Sequence, residues 1–223
     1  MDRKTACTIY QTLNARYPRT IEGGISYGDP FGVLVLTILS AQTTDRAVAA
    51  VGPVLFSRYP TPEALAAADP GEVGEIIRPT GFYRVKARHI IGAARMIVDE
   101  CGGEVPRTLD GLTRLPGVGR KTANIVLSNA YGTDEGIAVD THVRRISRLL
   151  GLTDETDPEK VERDLMTTFP REVWGDINAL LVQHGRAICI ARRPRCEACI
   201  LATWCRYFRE EGEVQGSRGA KTR

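Results

Sequence analysis

Four cysteines, Cys189, Cys196, Cys199 and Cys205, fall within 17 residues at the spacing C-x6-C-x2-C-x5-C. Thiols this close together point to a metal centre. The spacing leaves two identities open. Zinc held by four thiolates usually uses two C-x2-C knuckles, and only one such pair is present. A 4Fe–4S cluster is also held by four thiolates, and a compact set suits it. The other two cysteines stand apart. Cys101 falls on an apolar stripe and reads as a small core residue. Cys7 shows no partner.

A second constellation is L-P-G-V-G-R-K-T-A, from Leu115 to Ala123. Pro116, Gly117 and Gly119 interrupt the chain, and helical spacing resumes from Thr122 to Tyr131 through Ala123, Val126, Leu127 and Ala130. The segment reads as helix, Gly-x-Gly turn, helix. Glycines let backbone approach a ligand closely. A helix beginning there offers unpaired N–H groups to a phosphate, and Arg120 adds charge. Such a grip binds DNA without reading its sequence. Lys121 lies in the first turn of the second helix. A lysine attacks as its neutral amine, and a helix N-terminus beside an arginine disfavours the ammonium. Schiff-base chemistry and a plain phosphate contact are both open to it. Asp140, in A-V-D-T-H-V-R-R, precedes another helix and is a preferred cap residue. A carboxylate fixed by capping can also take a proton from a lysine or stabilise positive charge on a sugar.

The elements that must position these groups are helical. Ile90, Ile91, Ala94, Ile97, Val98 and Cys101 make one stripe. Val143, Ile146 and Leu150 make another, and Val173, Ile177, Leu180, Leu181, His184 and Ile188 a third. Each set falls on one helix face. On the third stripe His184 reads as a core histidine. Thr61-Pro62-Glu63 and Asp157-Pro158-Glu159 offer a cap followed by proline at the first helical position. Gly151 can stop the helix that starts near Asp140. Phe31 to Leu39 is apolar on nearly every side and reads as a buried central helix. No convincing period-two strand occurs, so the class is all-α.

The 223 residues suffice for one large domain or two small ones. A net charge of +3 tolerates a nucleic-acid partner without demanding one. The distribution is more telling: Arg186 to Arg209 holds six arginines and one acidic residue, Glu197. That is the footprint of a phosphate-binding surface or of a solvated arginine-rich loop. No signal peptide is visible and no apolar run is long enough to span a bilayer, so a cytoplasmic protein with reduced or ligated cysteines is expected. The last stretch, from residue 210, is nearly devoid of apolar residues and reads as a disordered tail.

Together these pieces resemble the endonuclease III family of helix-hairpin-helix glycosylases, from about residue 30 to 207. The match also includes L-S-A-Q-T-T-D from Leu39, G-F-Y-R-V-K-A from Gly81 and H-G-R from His184. The resemblance implies a six-helix barrel domain with the hairpin over 23–134. It implies a cluster-bearing domain from 1–22 and 135–209, with a DNA-binding groove between the two. It implies one 4Fe–4S cluster on Cys189, Cys196, Cys199 and Cys205, favouring iron over zinc. It makes Lys121 the nucleophile on the sugar C1′ and Asp140 the catalytic carboxylate. Gln42 would fill the gap left by a flipped-out base. Phe82 stands where many members carry a leucine wedge. His142 and Asp45 fall near the base pocket or in first helical turns. Gly117, Gly119, Arg120, Arg192, Arg193 and Arg195 would meet DNA phosphates. The implied activity is removal of oxidised pyrimidines from duplex DNA through a lysine Schiff base, then β-elimination at the abasic site, by a monomer. The alternatives are a monofunctional glycosylase for mismatched thymine or adenine, which would lack the hairpin lysine, and a non-catalytic iron–sulfur DNA-binding protein.

Overall fold

The computed structural model of the chain describes residues 1–17 and 29–210. In chain order these form α1 (Arg3–Arg16), α2 (Pro30–Ser40), α3 (Asp45–Arg58), α4 (Pro62–Ala66), α5 (Pro70–Ile76) and α6 (Tyr83–Glu100). They continue with α7 (Leu109–Thr113), α8 (Arg120–Tyr131), α9 (Thr141–Leu150), α10 (Pro158–Thr168) and α11 (Trp174–Ala187). Residues 206–210 are helical again, so Glu210 is not part of a structureless tail; the rest of the expected tail lies outside the described residues. No strand occurs among the described residues, and the chain is all-α as expected.

The helix starts follow from side chains that satisfy the free N–H groups of a first turn. Asp2, Asp29, Thr44, Thr61, Asp69, Thr108, Asp140 and Asp157 each accept such a bond. Proline follows the cap in α2, α4, α5 and α10, where its missing N–H costs nothing. By contrast α6, α8 and α11 start without a side-chain cap.

The described residues fall in two compact units, 29–135 and 1–17 with 136–210. In the first, α2 is the central helix expected from its apolar run. Phe31, Leu34, Val35, Leu36, Ile38 and Leu39 are all buried, and α2 packs on α3, α6 and α8. Each such side chain contributes about 1.5–3 kcal/mol on burial. The α6 stripe buries Ile90, Ile91, Ala94 and Ile97. Cys101 departs from expectation: α6 ends at Glu100, and Cys101 is a half-buried cap residue beyond it. The chain leaves the helical path there, so the stripe's last position is not carried inward.

The second unit is built on α9 and α11, with α1 packed on α11 and α10 on α9. Its core includes Ile9, Leu13, Val143, Ile146, Leu150, Leu165, Phe169, Ile177, Leu180 and Leu181. Gly151 ends α9 at φ +81, a left-handed conformation that suits glycine. Val173 and Ile188, the ends of the third stripe, flank α11 rather than belong to it. No helix among the described residues is long and apolar enough to cross a membrane.

Candidate active site and metal centre

The hairpin joins α7 to α8. Gly117 has φ +79, and a Cβ there would stand 2.8 Å from both Cβ and Nδ1 of His89, so only glycine fits. Gly119 differs from Gly117. Its φ of −92 is open to any residue, and an added Cβ would meet nothing within 4 Å. Its service is to leave space before α8. No side chain caps the start of that helix, a place where a helix N-terminus suits an anion. Burial of Ala123, Asn124, Val126 and Leu127 anchors α8, while Arg120 and Lys121 stay exposed.

Asp140 caps α9 with one carboxylate oxygen: Oδ1 accepts from the Val143 N–H at 2.8 Å. Oδ2 lies 3.4 Å from Nδ1 of His142, a residue of the first turn of α9. The Asp140 side chain is 18% exposed. Capping thus fixes the carboxylate and leaves its second oxygen outside the cap. Gly185, which sequence reading passed over, permits this arrangement. A Cβ on it would come within 2.7 Å of His142 Cδ2 and 3.0 Å of Ile146 Cδ1. The signal available was a lone glycine inside an apolar helical stripe, which usually has a packing reason. Gly185→Ala is expected to cost about 1–3 kcal/mol by overpacking. Urea unfolding measures this, and an unchanged midpoint would show that α9 and α11 separate freely.

Gln42 and Phe82 share an unusual backbone. They are the non-glycine residues with positive φ among the described residues, at 52° and 47°. Such conformations cost on the order of 1–3 kcal/mol each and persist only when their surroundings enforce them. Both residues are exposed, Phe82 to 68%. Asp45 opens α3.

The four cysteines of the spaced motif are free of disulfides, half-buried, and line one cavity with Ile146, Leu149, Leu150 and Ile188. No group of three or more His, Cys, Asp or Glu side chains among the described residues converges on a single metal-ion position. A lone zinc needs its four sulfurs about 2.3 Å from one point. Thiols that share a cavity without meeting at a point suit a larger, multi-iron group, and the residues therefore fit a 4Fe–4S cluster. Burial pushes the Cys189 thiol up to about 11 and raises Cys199 as well. Iron must therefore displace protons to bind. His184 is buried as expected, and it also touches the centre. Its Nδ1 is 3.1 Å from the Tyr17 hydroxyl and its Nε2 is 3.5 Å from Cys199 Sγ. Burial pushes the ring down to about 4, so it is neutral at pH 7. A neutral imidazole can accept from Tyr17 and donate to a Cys199 thiolate. Arg145 donates to the Cys189 carbonyl at 2.6 Å. The loop carrying exposed Arg192, Arg193 and Arg195 is closed by the Arg195 N–H on the Ile188 carbonyl.

Residues 35–171 match the HhH-GPD superfamily of base excision DNA repair proteins, and residues 189–205 match the iron–sulfur binding domain of endonuclease III. Endonuclease III of Synechocystis sp. is 48% identical over 91% of this chain and 92% of its own length. The chain belongs to the endonuclease III family. It is accordingly a base excision repair enzyme, a DNA glycosylase for oxidised pyrimidines with abasic-site lyase activity, and it carries a 4Fe–4S cluster. The fold of a solved trapped endonuclease III–DNA covalent intermediate matches with a TM-score of 0.86 at 37% identity, over 95% of this chain and 99% of that one. A thermostable thymine-DNA glycosylase matches with a TM-score of 0.82 at 26% identity, over 93% and 98%. In this endonuclease III-family chain, Gln42, Phe82, Gly117, Gly119, Arg120 and Lys121 belong to the unit 29–135. Asp140, His142, the arginine loop and the four cysteines belong to the other unit.

Proposed function

We propose that Lys121 is the nucleophile of this glycosylase and lyase, and that Asp140 serves it as proton acceptor. Two separate observations support the reading: Lys121 is exposed on the first turn of α8, and the Asp140 carboxylate is fixed by one oxygen while its other oxygen stays outside the cap, beside His142. The chain binds damaged duplex DNA, as the solved endonuclease III–DNA complexes do. The turn at Gly117 and Gly119, with Arg120, holds one phosphate at the start of α8. Arg192, Arg193 and Arg195 hold others. The damaged base leaves the stack, at a cost of a few kcal/mol that is lower for a poorly stacked lesion. Phe82 wedges the step open, and Gln42 fills the space left behind.

The neutral Lys121 amine attacks C1′. The glycosidic bond breaks, its electron pair leaves with the base, and the base takes a proton. Asp140 accepts the proton that Lys121 sheds, directly or through water. Opening of the sugar ring gives an imine between Lys121 and C1′. Loss of a C2′ proton then expels the 3′ phosphate by β-elimination, and water releases the enzyme. Cys189, Cys196, Cys199 and Cys205 hold the cluster. When bound, it supplies covalent cross-links that fix the arginine loop. That one chain carries every group named supports a monomeric enzyme, and a DNA substrate together with metal-ligating cysteines supports a cytoplasmic one.

Asp140→Asn tests the reading because asparagine caps a helix as well as aspartate does. The fold and α9 are expected to stay intact by circular dichroism. Single-turnover excision of thymine glycol is expected to fall by about 10²–10⁴-fold, the size of a general-base contribution. Full excision by a folded variant would reduce Asp140 to a cap.

A further inference from the structure

Lys86 is a charged residue in the interior of the unit 29–135, 5% exposed. Its ammonium donates to the Leu39 carbonyl at 2.9 Å, the Thr80 carbonyl at 2.8 Å and the Thr43 hydroxyl. An ammonium has three protons, so these partners saturate it. Thr43 in turn donates to the Thr80 carbonyl at 2.6 Å. Every partner is a neutral oxygen, and the pull on Lys86, which burial lowers, comes from desolvation and not from any neighbouring charge. Burying a cation without a carboxylate is costly. An apolar side chain would serve a core better, unless the inward carbonyls themselves need a donor.

The partners lie in two segments far apart in sequence. Leu39 and Thr43 bracket exposed Gln42, and Thr80 stands two residues before exposed Phe82. These two residues are the left-handed non-glycine positions of the described chain. Each strained tip is thus rooted on the same buried ammonium. Thr43 adds a direct bond from one root to the other.

We infer that Lys86 is a positioning residue that locks the Gln42 and Phe82 loops into one rigid element, so that wedge and filler enter DNA in fixed register. This rests on the proposed insertion roles of Gln42 and Phe82. Lys86 itself touches no substrate. Holding two groups in productive geometry is worth much in rate, and a shift of about 1 Å can cost on the order of 10²-fold. The sequence carries a faint sign of this role. Lys86 lies four residues before Ile90 on the α6 stripe, where an apolar residue is expected.

Lys86→Met keeps the length of the side chain and removes its donors. Amide hydrogen exchange on the DNA-free holoenzyme reads the loops directly. The expected result is exchange accelerated at least about tenfold at residues 39–45 and 80–83, with α8 unchanged. Single-turnover excision of thymine glycol should fall by about 10²-fold. Cleavage at a preformed abasic site, where no base has to be expelled, should fall much less. Thr43→Val cuts the bond between the roots and should move the same readouts in the same direction by a smaller factor. Unchanged loop exchange in a folded Lys86→Met protein, or loosening across the whole unit, overturns the inference. Loops that loosen while excision persists would instead overturn the insertion roles. The Gln42→Ala, Phe82→Ala double variant separates the two: it should reproduce the excision loss with exchange at Lys86's partners unaltered.

Discussion

Lys121→Gln is expected to lose strand cleavage at an abasic site by on the order of 10⁴-fold or more, with little change in stability or DNA affinity. The side chain is exposed on the first turn of α8 and supports no core contact. Surface changes of this kind stay within about 0.5 kcal/mol. Glutamine matches lysine in helix propensity and approximate length. What disappears is the only group of the scheme that bonds to the sugar, and removing a nucleophile removes the covalent route altogether. If Lys121 merely met a phosphate, the pattern would invert. Affinity would fall, the salt dependence would weaken by about one charge, and cleavage at saturating enzyme would survive. Measuring the dissociation constant and the single-turnover rate on the same duplex distinguishes the two cases.

Cys199→Ser is expected to empty the metal centre. Serine offers oxygen where a soft thiolate is required, at the position that His184 Nε2 and the Leu201 N–H approach. Iron content and sulfur-to-iron charge-transfer absorbance should be lost. Because the free energy of metal binding is folding free energy, the unit 1–17 with 136–210 should also lose several kcal/mol. A fall in Tm of about 10 °C or more is expected for a chain of this size. Limited proteolysis should open between residues 189 and 205. DNA affinity should weaken, since Arg192, Arg193 and Arg195 ride on that segment. Retained iron and an unchanged Tm would mean that Cys199 is not a ligand.

Local features were legible from residue order. Proline after Thr61 and Asp157, glycine at 151 and the apolar run of α2 all report nearest-neighbour physics, and each appears where it was read. Lys121 falls in a first turn because a glycine-rich break and a helical period adjoin there. The cysteine spacing spoke for a metal centre and left iron and zinc open; the shared cavity and the family match separate them. What escaped was tertiary. Gly185 matters because α9 passes beside it, and no local pattern says which helix will. His184 read correctly as buried, yet its bond to Tyr17 spans 167 positions. Lys86 has only its place on the α6 stripe to mark it, because hydrophobic periodicity does not show which carbonyls a buried donor meets. Gly119 needs no special backbone, and the open space around it is consistent with the close approach of a ligand read from the sequence.

The most direct test of the central claim is chemical trapping of the imine. The holoenzyme is incubated with a duplex bearing one thymine glycol in the presence of borohydride, and the adduct is digested and mapped. The account predicts a covalent protein–DNA species whose modified peptide carries the sugar on Lys121, and no such species with Lys121→Gln. Excision of the lesion without an adduct, or an adduct borne by a different amine, would contradict it.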